Sequence, residues 1–122
     1  MTTPFLAYDH VQLAMPPGEE ARARAFYSDI LGMTELEKPT ELKKRGGAWF
    51  ASGVLQLHLG VEADFRPAQK AHPALRCADF DALVARLRAS GIDVRVEAVE
   101  NDLRHGYTAD PFGNRIELIA AA

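Results

Sequence analysis

The chain has little cysteine and no long apolar run. Cys77 is the only cysteine among 122 residues, so no disulfide can form within the chain, which is typical of a reducing compartment. No apolar stretch approaches the roughly 18 residues of a membrane span, and Met1 to Pro4 lack a basic segment followed by an apolar one. We therefore expect a cytoplasmic protein that is neither exported nor inserted in a membrane.

An excess of positive charge is also missing. Lys and Arg number 14 against 17 Asp and Glu, and no basic cluster is dense enough to follow a phosphate backbone. A nucleic-acid partner is disfavoured.

Hydrophobic residues make up 48% and charged residues 25%, which is ordinary globular composition. The length suits one domain, and we expect it to consist of modules 1–60 and 72–122 joined by 61–71.

The first module has the pattern of one strand, one helix and three strands. Leu6 to Met15 contains no Pro or Gly before the turn at Pro16-Pro17-Gly18, and it predicts a strand. Glu19 to Leu31 has apolar residues at helical spacing, and Gly32 follows as the expected stop. Three further strands are predicted between turn residues, over Thr34 to Glu37, Trp49 to Ala51 and Val54 to Gly60.

The second module repeats this order. His72 to Cys77 predicts a strand, Asp79 is placed to cap a helix that ends at Gly91, and three strands follow over Val94 to Val99, Tyr107 to Ala109 and Arg115 to Ala120. Corresponding landmarks keep matching intervals in the two copies. The predicted fold is α+β, with two paired βαβββ modules that form a curved mixed sheet around a cavity.

Polar side chains collect on the strand faces opposite the predicted helices. Alternation along the strands places Tyr8, His10, Gln12, Gln56, His58, His72, Arg76, Arg115 and Glu117 there. These residues could simply face water. However, three of the four histidines are in this set, and histidine is not typical of the solvent-exposed face of a sheet. Two imidazoles and a carboxylate suit Zn, Fe(II), Mn, Co or Ni.

A known family shows the same plan. The twofold order of elements, the segment Asp110-Pro111-Phe112-Gly113-Asn114-Arg115-Ile116-Glu117-Leu118 and the helix ending from Phe26 to Gly32 resemble the vicinal oxygen chelate superfamily. This superfamily groups glyoxalase I, extradiol dioxygenases, fosfomycin-resistance proteins and bleomycin-resistance proteins. The resemblance covers nearly the whole chain.

The resemblance implies a metal site and a substrate cavity. It implies that His10, His72 and Glu117 bind a divalent metal and that Gln56 occupies the remaining pocket position, where glyoxalase I typically has a glutamate. A neutral amide cannot act as a base, which argues against ordinary glyoxalase I chemistry. His58 or Tyr107 could move a proton instead, or His58 could only line the cavity. The expected substrate-binding residues are Gln56, Gln12, Trp49, Arg76 and Arg115, although a core or dimer-contact position is the commoner outcome for a residue such as Trp49.

Three hypotheses follow from these residues. The first is a divalent-metal-dependent enzyme with lyase, isomerase or dioxygenase chemistry on a small substrate that chelates the metal through two neighbouring oxygens. The alternative is a bleomycin-resistance-like protein that sequesters a ligand without turnover, and a third is a remnant fold with a collapsed cavity. We expect a homodimer, and the sequence leaves open whether the site forms within one chain or between two.

Overall fold

A computed structural model describes residues 2–98 and 103–121. Its helices are α1 (Glu20–Arg24, continued by a π-helical segment, Ala25–Ile30), α2 (Thr40–Lys43) and α3 (Phe80–Ala89). Its strands are β1 (Val11–Met15), β2 (Thr34–Leu36), β3 (Ala48–Ser52), β4 (Leu55–Val61), β5 (Ala74–Cys77), β6 (Arg95–Ala98), β7 (Arg104–Ala109) and β8 (Arg115–Ala120). No helix in these ranges is long and apolar enough to cross a membrane.

The strands form two sheets with the same topology. The first sheet has the order β1-β4-β3-β2 and the second the order β5-β8-β7-β6. In each sheet the module's first strand runs parallel to its last, and the other pairs are antiparallel. The predicted α+β class and the repeated βαβββ order are confirmed. Rather than one continuous sheet, each module hydrogen-bonds its own four strands.

Several predicted boundaries were wrong. β1 begins at Val11 instead of Leu6, so His10 immediately precedes the strand rather than lying inside it. β5 begins at Ala74, which leaves His72 two residues ahead of it. β7 begins at Arg104 instead of Tyr107, and α2 was not predicted at all. The predicted end of the sixth strand, Val99, lies outside the described residues.

The first predicted helix changes type half-way. After Arg24 the backbone widens to a π-helix, in which the N–H of Leu31 donates to the carbonyl of Phe26 over 2.9 Å. Phe26 and Tyr27 are both buried, with exposures of 2% and 0%. The helix thus places two neighbouring rings in the core, and Gly32 ends the segment with a φ of 76°.

The loop between β7 and β8, in the second module, forms hydrogen bonds with the first module. The carboxylate of Asp110 accepts the backbone N–H groups of Phe112 and Asn114, each over 2.9 Å. It also accepts the hydroxyl of Tyr27 over 2.7 Å, and the side-chain amide of Asn114 donates to the carbonyl of Ala14 over 2.7 Å. Asp110 and Asn114 therefore stabilise the contact between modules.

Candidate functional site

Glu117 is the centre of a polar group on the second sheet, the Glu117 cluster (His72, His105, Tyr107 and Glu117). Strand alternation buries Ile116 and turns Glu117 to the other face, where register places it directly opposite Tyr107. Nε2 of His72 lies 2.9 Å from Oε1 of Glu117, and Nδ1 of His105 lies 2.9 Å from Oε2. Each carboxylate oxygen therefore has its own imidazole.

Hydrogen bonding keeps this carboxylate ionised. The hydrogen bond from His105, with a smaller contribution from His72, holds the pKa of Glu117 below its usual range and outweighs the opposite effect of burial. The Tyr107 ring packs edge-on against both imidazoles, at centroid distances of 5.6 Å from His72 and 5.2 Å from His105. The guanidinium of Arg115 lies 4.3 Å from the Tyr107 ring centroid. Glu117 is thus in the protonation state that a cation needs.

The first sheet carries a second group, the histidine stack (His10, His58 and Trp49). Trp49 and His58 are directly opposite each other on β3 and β4, and their rings stack with centroids 4.2 Å apart. The His10 ring stacks on the other side of His58 at 4.0 Å. The neighbouring aromatic, Phe50, points the other way into the core and stacks on Tyr27. Trp49 therefore supports a histidine on the face opposite the core.

His58 is buried between these two rings. Its exposure is 5%, and burial, with the nearby His10, lowers the pKa of His58. Nε2 of His58 lies 3.0 Å from Oε1 of Gln56. Because an amide oxygen only accepts, the proton of the neutral ring sits on Nε2. His58 is thus a neutral imidazole whose tautomer is set by Gln56.

The nitrogen atoms of His10 and His72 are arranged as in metal-binding histidines. Nδ1 of His10 lies 2.9 Å from Oδ2 of Asp9, and Nδ1 of His72 lies 2.9 Å from the carbonyl oxygen of Lys70. Carboxylates and carbonyls only accept hydrogen bonds, so a ring that is neutral and donates through Nδ1 has its lone pair at Nε2. Histidines that bind metals generally use this arrangement. With ionised Glu117, the donor chemistry fits a divalent cation.

A single chain does not bring the three predicted ligands together. Across residues 2–98 and 103–121, no group of three or more His, Cys, Asp or Glu side chains is placed to hold a metal ion. His72 and Glu117 are in contact, whereas His10 belongs to the histidine stack. His10 and His72 nevertheless line the same cavity, which has a volume of about 830 Å³.

The other predicted residues are divided between the cavity and the sheets. Gln12, Gln56 and Arg115 line the cavity. Arg76, on β5, is exposed and donates to the carbonyl of Ala120 over 3.3 Å. His58, Tyr107 and Trp49 lie in the two groups described above.

Sequence reasoning missed the role of His105. Its side chain is 14% exposed and lies in the Glu117 cluster. The signal was available, because His105 and Tyr107 are two residues apart and share a face of one strand. Placing the start of β7 at Tyr107 left His105 in a loop and hid that relationship.

Sequence and structure comparisons identify the family. The model of the glyoxalase/bleomycin resistance protein/dioxygenase superfamily matches residues 8–118. The chain belongs to this superfamily. Its members generally use divalent metals, bind small molecules and commonly form dimers. No curated protein matches the chain.

Solved structures of this superfamily share the fold. A glyoxalase family protein from Bacillus anthracis is 45% identical, with a TM-score of 0.94 and full coverage of both chains. The fosfomycin resistance protein FosX from Listeria monocytogenes is 17% identical, with a TM-score of 0.76, and 97% of this chain and 95% of that chain are covered. Lactoylglutathione lyase from Agrobacterium tumefaciens is 22% identical, with a TM-score of 0.71 and coverages of 98% and 96%. These last two likenesses show the fold alone.

Proposed function

We propose that the protein is a divalent-metal-dependent enzyme acting on a small substrate that chelates the metal through two neighbouring oxygens. His10, His72 and Glu117 would hold the metal. The reaction class would be a lyase, isomerase or dioxygenase reaction, and the location cytoplasmic. The chain shares its fold with a glyoxalase family protein, with FosX and with lactoylglutathione lyase, and this likeness supports a reaction of this kind.

The contact between His72 and Glu117 carries the proposal. With the Nδ1 proton of His72 directed at the carbonyl of Lys70, a neutral ring would turn the Nε2 lone pair toward a carboxylate oxygen 2.9 Å away. Two lone pairs repel each other at that distance, so a proton or a cation must lie between them. Adjacent ligands of an octahedral ion bound at about 2.1 Å stand about 3 Å apart. The observed spacing is that of an N–H···O hydrogen bond, and it is also one that two ligands of a single metal ion can keep.

A homodimer would supply the missing third ligand. His10 is 38% exposed and lies apart from the His72 and Glu117 pair. The neighbouring segment exposes apolar side chains of a kind that a monomer normally buries: Phe5 at 82%, Leu6 at 102% and Tyr8 at 92%. Val54, across the same cavity, is fully exposed. We infer that these side chains pack on a second copy, whose His72 and Glu117 then meet His10.

The remaining residues would bind and orient the substrate and move protons. When bound, the metal supplies a Lewis acid that stabilises negative charge on the chelating oxygens. Gln12, Gln56 and Arg115 would contact substrate from the cavity wall. Arg76, exposed on β5, and Trp49 in the histidine stack are the further substrate-binding candidates. The hydroxyl of Tyr107 and Nδ1 of His58 are the groups we assign to proton transfer.

Metal titration tests the proposal. Protein freed of metal by a chelator should bind Co²⁺ or Zn²⁺ saturably, and His72→Ala should weaken that binding by more than the roughly 100-fold that loss of an outer-shell partner can cost. Glu117→Gln should do the same, whereas Glu41→Gln on exposed α2 is the matched control and should bind normally. Metal-dependent turnover would then be sought with methylglyoxal-thiol adducts, catechols and fosfomycin plus a thiol. Equal metal binding by wild type and His72→Ala would contradict the proposal.

The alternative is a protein that sequesters its ligand. It is favoured by the separation of His10 from His72 and Glu117 within one described chain. In that case the cavity would bind an aromatic or cationic molecule with an affinity that a chelator leaves unchanged.

A further inference from the structure

His105 holds the oxygen of Glu117 that His72 does not contact. Register pairs His105 with Ile119, so His105 is the diagonal neighbour of Glu117 across β7 and β8. A long side chain spans such a diagonal, and Nδ1 of His105 reaches Oε2 over 2.9 Å. Because a carboxylate only accepts, Nδ1 carries the proton of this bond.

The His105 ring is fixed on its other sides too. Nε2 lies 3.4 Å from Oε2 of Glu97, which is directly opposite His105 on β6. The Tyr107 ring packs edge-on against the imidazole. The side chains of His105 and Glu117 are only 14% and 16% exposed, so water competes little for their hydrogen bond. The carboxylate therefore has a defined orientation.

We propose that His105 is a positioning residue: its Nδ1–H holds Oε2 of Glu117, so that Oε1 is the oxygen offered to the metal beside Nε2 of His72. This inference rests on the proposed metal site. Both ring nitrogens of His105 face carboxylates, Glu117 and Glu97, and the ring acts on the metal only through Glu117. Without His105 nothing in this cluster holds Oε2, and the fixed orientation of the Glu117 ligand is lost.

Co²⁺ titration of two His105 variants tests this role, because Co²⁺ reports both affinity and coordination through its visible absorption. His105→Leu removes the donor and should weaken Co²⁺ binding roughly 10- to 100-fold. His105→Asn retains an N–H near the position of Nδ1 and should recover most of that loss. The Co²⁺ band positions should be the same in all three proteins, since the metal keeps its own ligands. Arg104→Gln is the control for the strand, because Arg104 pairs with Asp81 instead.

A measurement on the wild type covers the case in which His105→Leu does not fold. Long-range ¹H–¹⁵N NMR of the imidazoles should show the Nδ1 proton of His105 retained after Zn²⁺ is added. Loss of that proton, or Co²⁺ bands that change in His105→Asn, would make His105 a ligand and overturn its positioning role. Unchanged affinity in His105→Leu would also overturn it while leaving the metal site intact. Wild-type protein that binds neither ion would overturn both proposals.

Discussion

The hydroxyl of Tyr27 donates a 2.7 Å hydrogen bond to the carboxylate of Asp110, 83 residues further along the chain. Both groups are buried, and burial together with the adjacent carboxylate raises the pKa of Tyr27. The bond therefore links the helical part of the first module to the β7–β8 loop of the second. Its loss would leave a buried carboxylate with one partner fewer.

We expect Tyr27→Phe to lower the free energy of unfolding by about 1 to 3 kcal/mol, the usual effect of removing one partner of a buried polar group. Urea denaturation measures the change. Glu41→Gln is the control, since Glu41 lies on exposed α2 and its substitution should change stability by less than about 0.5 kcal/mol. Equal effects of the two substitutions would contradict the assigned role of Tyr27.

Gly47 is the glycine with least room for a side chain. Its φ is 86°, and an added Cβ would lie 2.1 Å from the backbone oxygen of Leu59. Gly53 has a φ of 58° and nothing within 4 Å of the same position. Gly47→Ala should therefore cost about 3 kcal/mol or more, against about 1 kcal/mol for Gly53→Ala. Chemical denaturation of both variants would show whether the difference exists.

Acid should weaken the fold partly through His58. Its pKa in the folded protein is below the ordinary value of 6.5, because burial disfavours the imidazolium. The unfolded chain therefore binds the proton more readily, and stability contributed by the neutral ring is lost as the pH falls below about 6.5. His58→Phe keeps a stacking ring and does not titrate. Its unfolding free energy should fall less steeply than that of wild type between about pH 7.5 and pH 5; parallel curves would be the contrary result.

Local patterns predicted the order of elements because each strand buries alternate residues and each helix buries one stripe. Ile116 and Leu118 are buried with Glu117 on the opposite face, as alternation requires. The π-helical segment was not predictable, since a 3.6-residue period also describes the apolar spacing there. The start of β1 was predicted too early because residues 6–10 contain no Pro or Gly to mark a boundary, although the strand ladder begins only at Val11.

The candidate site was harder to predict than the fold. His72 and Glu117 come together because β5, which begins two residues after His72, pairs with β8. The position of His10 depends on how the modules and any second chain are arranged, which periodicity does not encode. Asp110 and Asn114 lie in the motif that carries the resemblance, yet their side chains are used within the fold. Part of the motif that carries the family resemblance thus stabilises the architecture.

The most direct test of the account uses two inactive variants that restore each other. We consider a heterodimer of His10→Ala with His72→Ala, in which His10 of one chain meets His72 and Glu117 of the other. One of its two sites has all three ligands, and the other lacks both histidines. Such heterodimers can be isolated through two different affinity tags that do not bind metal. We predict that they bind Co²⁺ with wild-type affinity at half the wild-type number of sites, while each variant alone binds poorly. Heterodimers that bind no better than the separate variants would contradict a metal site shared between two chains.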